Sequence, residues 1–227
     1  MATKHLLLLF FVLFIFTHSF GQENIIPKEY RSIKEIYGDL NKDSVDEKVV
    51  VYNVSDTEDE DEGIDREIVI FKKEDQNWKI WHRSKTAIGN SKDGGMMGDP
   101  FEDIEIKNGI LLISQSGGSS WKWRHIDKYR FQNNDFELIG YVSNAGKACE
   151  YWEDVDYNIS IGKIIIKKEY EDCDKAQEIY KKENEEFIYK LKNKITLENR
   201  DKDEIKIVSP KYKHEIYLQL PGILPMK

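Results

Sequence analysis

Between Asp39 and Glu47 the chain sets oxygen-bearing side chains on alternate residues: Asp39, Asn41, Asp43 and, beyond Val45, Glu47. Oxygens at relative positions 1, 3 and 5 of such a run wrap a tight turn around one cation. A backbone carbonyl at the seventh position (Val45) and a carboxylate at the ninth (Glu47) complete the shell. Calcium takes six to eight hard oxygen ligands at about 2.3–2.6 Å and suits a flexible loop better than magnesium does. Asp39, Asn41, Asp43, the Val45 carbonyl and Glu47 are therefore the expected Ca2+ ligands. The alternative for the same residues is an Asp/Asn turn held by side-chain-to-backbone hydrogen bonds alone.

A second constellation joins glycines to aromatics. Asp93-Gly94-Gly95-Met96-Met97-Gly98-Asp99-Pro100-Phe101 and Ser116-Gly117-Gly118-Ser119-Ser120-Trp121-Lys122-Trp123-Arg124 each hold a glycine pair. Paired glycines let two backbones approach closely, and Trp121 and Trp123, on alternate residues, point the same way. With the charges of Asp99 and Arg124, the set Asp99, Gly117, Gly118, Trp121, Trp123 and Arg124 forms an expected ligand-binding patch. It suits a sugar ring, an aromatic group or an extended peptide. The competing reading packs both indoles in the core or over a sheet edge.

Catalytic groupings are harder to assemble. His82, His125 and His214 lack metal-ligand spacing, and His82 and His125 read as exposed strand residues. Ser119 and Ser120 sit in a glycine-rich loop without the strand-to-helix setting of a nucleophile elbow. Carboxylates near Asp99, Glu102 and Asp103 leave a hydrolase of glycans or peptides as the rival function. Asp59, Asp61 and Asp65, within the acidic run 56–65, are a further but patternless set of oxygens.

At Asp39 to Glu47, followed at once by an apolar strand, the sequence resembles the FG-GAP calcium-loop repeat of integrin-type propellers. It departs from that pattern at Ser44, where the family favours a glycine of positive φ, and at Glu47, where it favours Asp. The resemblance implies a local calcium-bearing β-loop-β unit; one visible copy excludes a full propeller and implies no adhesion. Gly38-Asp39-Leu40-Asn41, Gly98-Asp99-Pro100-Phe101 and Gly117-Gly118-Ser119-Ser120-Trp121-Lys122-Trp123 also recur, in this order, in a group of exported bacterial proteins. That likeness runs from Ile26 to Gly140 and brings no activity with it.

The elements that must position these residues are mainly strands. Period-two alternation with β-branched residues marks 48–54, 67–72, 78–82, 102–106, 110–115, 128–131, 136–142, 155–161 and 163–168, with shorter runs at 205–208 and 215–218. Turn formers at 74–77, 107–109 and 132–135 space them as antiparallel meanders. Residues 28–37, with Tyr30, Ile33 and Tyr37 on one face, admit a short helix. Residues 175–191 admit either a helix or a strand plus loop. The fold expected is one mainly β domain, 22–227, with the calcium-type loop at 39–47 and no internal repeat.

Residues 1–21 read as a signal peptide: Lys4 and His5, an apolar run from Leu6 to Phe16, then Ser19-Phe20-Gly21 before Gln22. That run is about 11 residues, short of the ~20 that cross a bilayer. The protein is expected to be secreted or periplasmic, with no membrane span in the mature chain. In that setting Cys149 and Cys173, the two cysteines, are expected to form a disulfide. The spacing supports it. Pairing Ile159 with Ile164 around a turn at Gly162 sets Cys149 opposite residue 174, and one β-bulge corrects that to Cys173. The net charge of −8, with basic and acidic residues interspersed, argues against nucleic acid as a partner. The functional expectation is a non-enzymatic binding or structural module for a cell-surface or extracellular protein or glycan. An inhibitor-type protein-binding module is the third reading.

Overall fold

The computed structural model describes residues 26–55, 62–175, 178–201 and 205–218. The expected leader, and Asp59 and Asp61 of the acidic run, lie outside the described residues. The described residues form two antiparallel meanders and a terminal hairpin, with no closed barrel or propeller among them. The first sheet runs in sequence order through β1 (Arg31–Gly38), β2 (Glu47–Asn53), β3 (Arg66–Glu74) and β4 (Asn77–Ser84). The second runs through β5 (Phe101–Lys107), β6 (Ile110–Gly118), β7 (Lys122–Gln132), β8 (Asp135–Lys147), β9 (Tyr151–Asn158), β10 (Lys163–Asp172) and β11 (Glu178–Ile188). β12 (Lys206–Val208) and β13 (Glu215–Tyr217) pair with each other.

Turn chemistry explains the meanders. Asp75 and Gln76, Asn108 and Gly109, and Asn133 and Asn134 all have positive φ, the conformation that tight hairpins need at their central pair. Alternating apolar residues then share one face of each sheet. Val49, Val51, Ile68 and Ile70 of the first meet Ile113, Tyr129, Tyr157, Ile164 and Ile166 of the second in one core. Ile207, Ile216 and Leu218 of the terminal hairpin belong to the same cluster, so the hairpin lies on the inner face of the larger sheet. Val50, Val69 and Phe71 point the other way and form a smaller cluster under Trp78.

Both stretches that admitted a helix are strands. Residues 31–38 pair along β2, and Ile33 and Tyr37, the supposed apolar face, are exposed, while Ile36 packs on the core. The strongly apolar β2 would otherwise be an open edge, and the 39–46 loop returns the chain alongside it. Residues 178–188 likewise pair with β10, turning Glu183, Glu185 and Phe187 inward. Residues 197–199 form a 3-10 turn.

The hairpin register also differs from expectation. Tyr157 pairs with Ile164 and Val155 with Ile166, around a turn at 159–162 in which Gly162 has φ +79°. This is a slip of two residues from the expected pairing, which keeps every side chain on its face, so alternation alone cannot detect it. The β9–β10 pairing runs without a bulge, and Cys149 and Cys173 lie at disulfide distance, Cα–Cα 5.0 Å.

Candidate functional site

The Asp39–Glu47 loop is wound by its own side chains. The Asp39 carboxylate accepts N–H groups from Lys42 (2.6 Å), Asp43 (3.2 Å) and Ser44 (2.9 Å). Ser44 has φ +69°, so the position where a glycine is favoured does take the left-handed conformation. The Asn41 amide N–H2 group lies between Asp43 Oδ2 (2.9 Å) and Glu47 Oε1 (3.0 Å). Glu47 is buried and receives Leu40 N–H at 2.8 Å. Burial raises its pKa, with the Asp43 and Asp39 charges adding to the rise. Among the described residues no three carboxylate, imidazole or thiolate groups converge as ligands in this arrangement. Asn41 Oδ1 is itself engaged, accepting Asp43 N–H at 2.8 Å, and Asp43 Oδ1 accepts Val45 N–H at 2.8 Å, so the loop's oxygens are used in holding its own backbone.

The two glycine loops meet, as their flanking strands require. Gly118 N–H donates to Gly94 O at 2.8 Å, and Met97 N–H to Gly118 O at 3.2 Å. A Cβ on Gly117 would stand 2.7 Å from Gly94 Cα and 2.5 Å from the Trp123 indole. Glycine there lets a neighbouring backbone and a large ring close over one strand. The two charges grouped with these loops have separate partners. Asp99 bonds Arg66, which is buried, while Arg124 turns to the outer face and pairs with Glu102 at 3.0 Å. Asp103 pairs with Lys34 at 2.7 Å. Asp99, Glu102 and Asp103 thus engage three different cations and do not converge. Asp65 holds the Asn90 amide at 2.8 Å.

Trp121 and Trp123 do share a direction, toward the inner face of the seven-stranded sheet. Register carries that face onward. Trp123 lies opposite Ala145, Ala145 opposite Glu153, Glu153 opposite Lys168, and Lys168 opposite Glu183. One row further out, Lys147, Tyr151, Tyr170 and Lys181 are successive cross-strand partners. Trp121 packs edge-on to Tyr151 (5.1 Å between centroids), Tyr151 contacts Tyr170 (5.8 Å), and Tyr170 contacts Tyr180 (6.2 Å). Lysines are threaded between the rings: Lys168 Nζ stands 3.5 Å from the Tyr151 centroid, and Lys181 Nζ stands 4.6 Å from that of Tyr170. Glu153 and Glu183 balance these charges at 3.3 and 2.6 Å. Burial, and the hydrogen bond to Glu183, push the Tyr170 hydroxyl up to about 12. The result is a ladder of four rings whose ends, Trp121 (40% exposed) and Tyr180 (61%), face solvent.

Two devices fix this shelf. Cys149 and Cys173 stand at its outer end, at disulfide distance between the β8–β9 turn and the end of β10. The β12–β13 hairpin bounds its inner side. Glu185 accepts N–H groups from Lys211 (2.6 Å) and Tyr212 (3.2 Å). His214 Nε2 lies 3.0 Å from Glu183, without the alignment of a hydrogen bond. Deeper in, buried Arg200 pairs with buried Asp127 at 2.5 Å and donates to Leu218 O.

His125 is buried, contrary to the exposed reading, and stacks between Trp123 (5.7 Å) and Tyr141 (5.8 Å). Burial lowers its pKa from 6.5 to about 4. Alternation placed Trp123 and His125 on one face; nothing local signalled that the face was covered by a hairpin from residues 206–217. No family model matches the chain, and no curated protein matches it.

Proposed function

We propose that the chain is an exported, non-enzymatic binding module whose ligand, a protein segment or a glycan outside the cytoplasm, lies along the Trp121–Tyr151–Tyr170–Tyr180 ladder. The single observation that carries this reading is four touching rings on one open sheet face, held by lysines and left uncovered at both ends. Aromatic surface presented this way provides stacking area at low conformational cost. Export is supported by the apolar leader and by a cysteine pair placed to form a lasting bridge. Calcium in the 39–47 loop would stabilise the fold at the concentrations found outside cells. The hydrolase alternative gains nothing from Asp99, Glu102 and Asp103, each of which is paired with a cation of its own.

The test is an array of bacterial and host glycans and extracellular peptides, probed with the mature chain and with the Trp121→Ala/Tyr180→Ala double variant. At least a tenfold weaker signal for the folded double variant is expected. Equal binding by both proteins would remove the ladder from the ligand site.

A further inference from the structure

The row inward of the ladder does not end at a flat wall. Between the sheet and β13 lies a recess of about 140 Å³, lined by Trp123, His125, Tyr141, Ala145, Glu153 and Ile216 among others. Trp123, His125, Tyr141 and Tyr217 give it aromatic walls, with Arg124 also in the lining. Trp123, His125 and Tyr141 lie nearly parallel, at interplanar angles of 21° and 25°, and His125 is neutral at ordinary pH. A cavity of about 150 Å³ is enough for one benzene ring. Two carboxylates, Glu153 and Glu215, are also in the lining, and Glu215 pairs with Lys206 at 2.7 Å. Glu153 Oε2 is buried without a hydrogen bond, although Lys168 Nζ lies 3.3 Å from the carboxylate.

We infer that this recess is a binding pocket for a single uncharged six-membered aromatic ring, such as the phenol or phenyl side chain of a polypeptide ligand. The inference rests on the ladder reading and deepens it, because Trp123 and Glu153 lie one cross-strand row in from Trp121 and Tyr151. A chain lying on the ladder can drop one aromatic side chain into the recess. Size excludes larger groups: a pyranose with its hydroxyls exceeds a space that fits one bare ring. Glu153 and Glu215 are each paired with a lysine, so an anion is disfavoured by the cost of burying a charge among aromatic walls. An apolar ring enters without losing hydrogen bonds, and a phenol brings a donor toward Glu153, whose Oε2 has no hydrogen-bond partner. The partner class is then a polypeptide with an exposed Tyr or Phe, in preference to a glycan.

The probe is p-cresol, added to the whole mature chain and followed by two-dimensional NMR. A saturable site with a dissociation constant on the order of 1 mM is expected for so small a ligand. Intermolecular NOEs should run from the p-cresol ring to Tyr141 and Ile216. 4-Hydroxybenzoate should bind at least tenfold more weakly, and N-acetylglucosamine should give no NOE to Tyr141. Ala145→Leu, which fills the recess, should weaken p-cresol at least tenfold; Ser143→Val serves as a second filling variant should the first fail to fold. The inference is overturned by NOEs confined to Trp121 and Tyr180, by no saturable binding, or by filling variants that bind p-cresol like the parent. These outcomes leave the array test of the ladder standing, whereas a flat array with p-cresol in the recess would reject the ladder and keep the pocket.

Discussion

His125 makes the fold acid-sensitive in a window set by its surroundings. Gln115 defines its protonation. The Gln115 carbonyl oxygen accepts Gly89 N–H at 2.8 Å, so its amide N–H2 group must face Ala87 O and His125 Nε2, both at 3.3 Å. His125 Nε2 is then an acceptor, and a proton there would meet another N–H. Burial is the largest cause of the fall from 6.5 to about 4, and the Arg200 charge adds to it while Asp127 opposes it. The folded chain therefore binds fewer protons than the unfolded chain between those values, so stability rises with pH across that window. The stabilisation is complete above about 6.5 and is lost as pH falls toward about 4. At 1.36 kcal/mol per unit, the full effect is roughly 3 kcal/mol, a large part of a typical ~5–15 kcal/mol. The assay is urea unfolding at half-unit steps from pH 7.5 to pH 4, with parent and His125→Phe. Other groups titrate in both proteins, so the difference between the two curves isolates His125. The parent should lose about 3 kcal/mol more than the variant. Parallel curves would show that His125 is already protonatable in the folded state and refute the Gln115 argument.

Three further outcomes follow from the same contacts. Calcium at 100 times its dissociation constant should add about 2.7 kcal/mol of stability, and Asp39→Ala/Asp43→Ala should abolish that gain; an unchanged melting midpoint after chelation of the parent would reject the site. Non-reduced peptide mapping should recover Cys149 linked to Cys173, and replacing both with Ser should cost roughly 3 kcal/mol for a loop of this length; two free thiols would contradict the bridge. Arg200→Met leaves Asp127 buried without its cation and should cost about 3–5 kcal/mol in chemical denaturation, whereas a loss under 1 kcal/mol would mean that Asp127 finds another partner.

How much of this was legible in the sequence depends on how local each cause is. Asn108-Gly109 and Asn133-Asn134 announce their hairpins because positive φ is a property of those residues themselves. Trp121 and Trp123 share a face by strand parity alone. Residues 31–38 and 178–188 have no strong intrinsic preference and become strands because β2 and β10 present edges to them, a long-range cause. The β9–β10 register depended on turn length, since a two-residue slip changes no face. Tyr151, Tyr170 and Tyr180 were missed as partners of Trp121. Parity put Tyr151 with Val155, and Tyr170 with Ile166, but only the sheet order brings three strands beside Trp121. The Asp99–Arg66 pair joins the two sheets' segments, which no spacing within either segment encodes.

The central claim, that the ladder is where a ligand binds, reduces to one measurement. The indole N–H resonances of 15N-labelled protein would be followed while the strongest array ligand is titrated in. The account expects Trp121 to shift first and most, with Trp78, which lies over the far face of the four-stranded sheet, unchanged. Saturable binding that moves Trp78 and leaves Trp121 silent would contradict it.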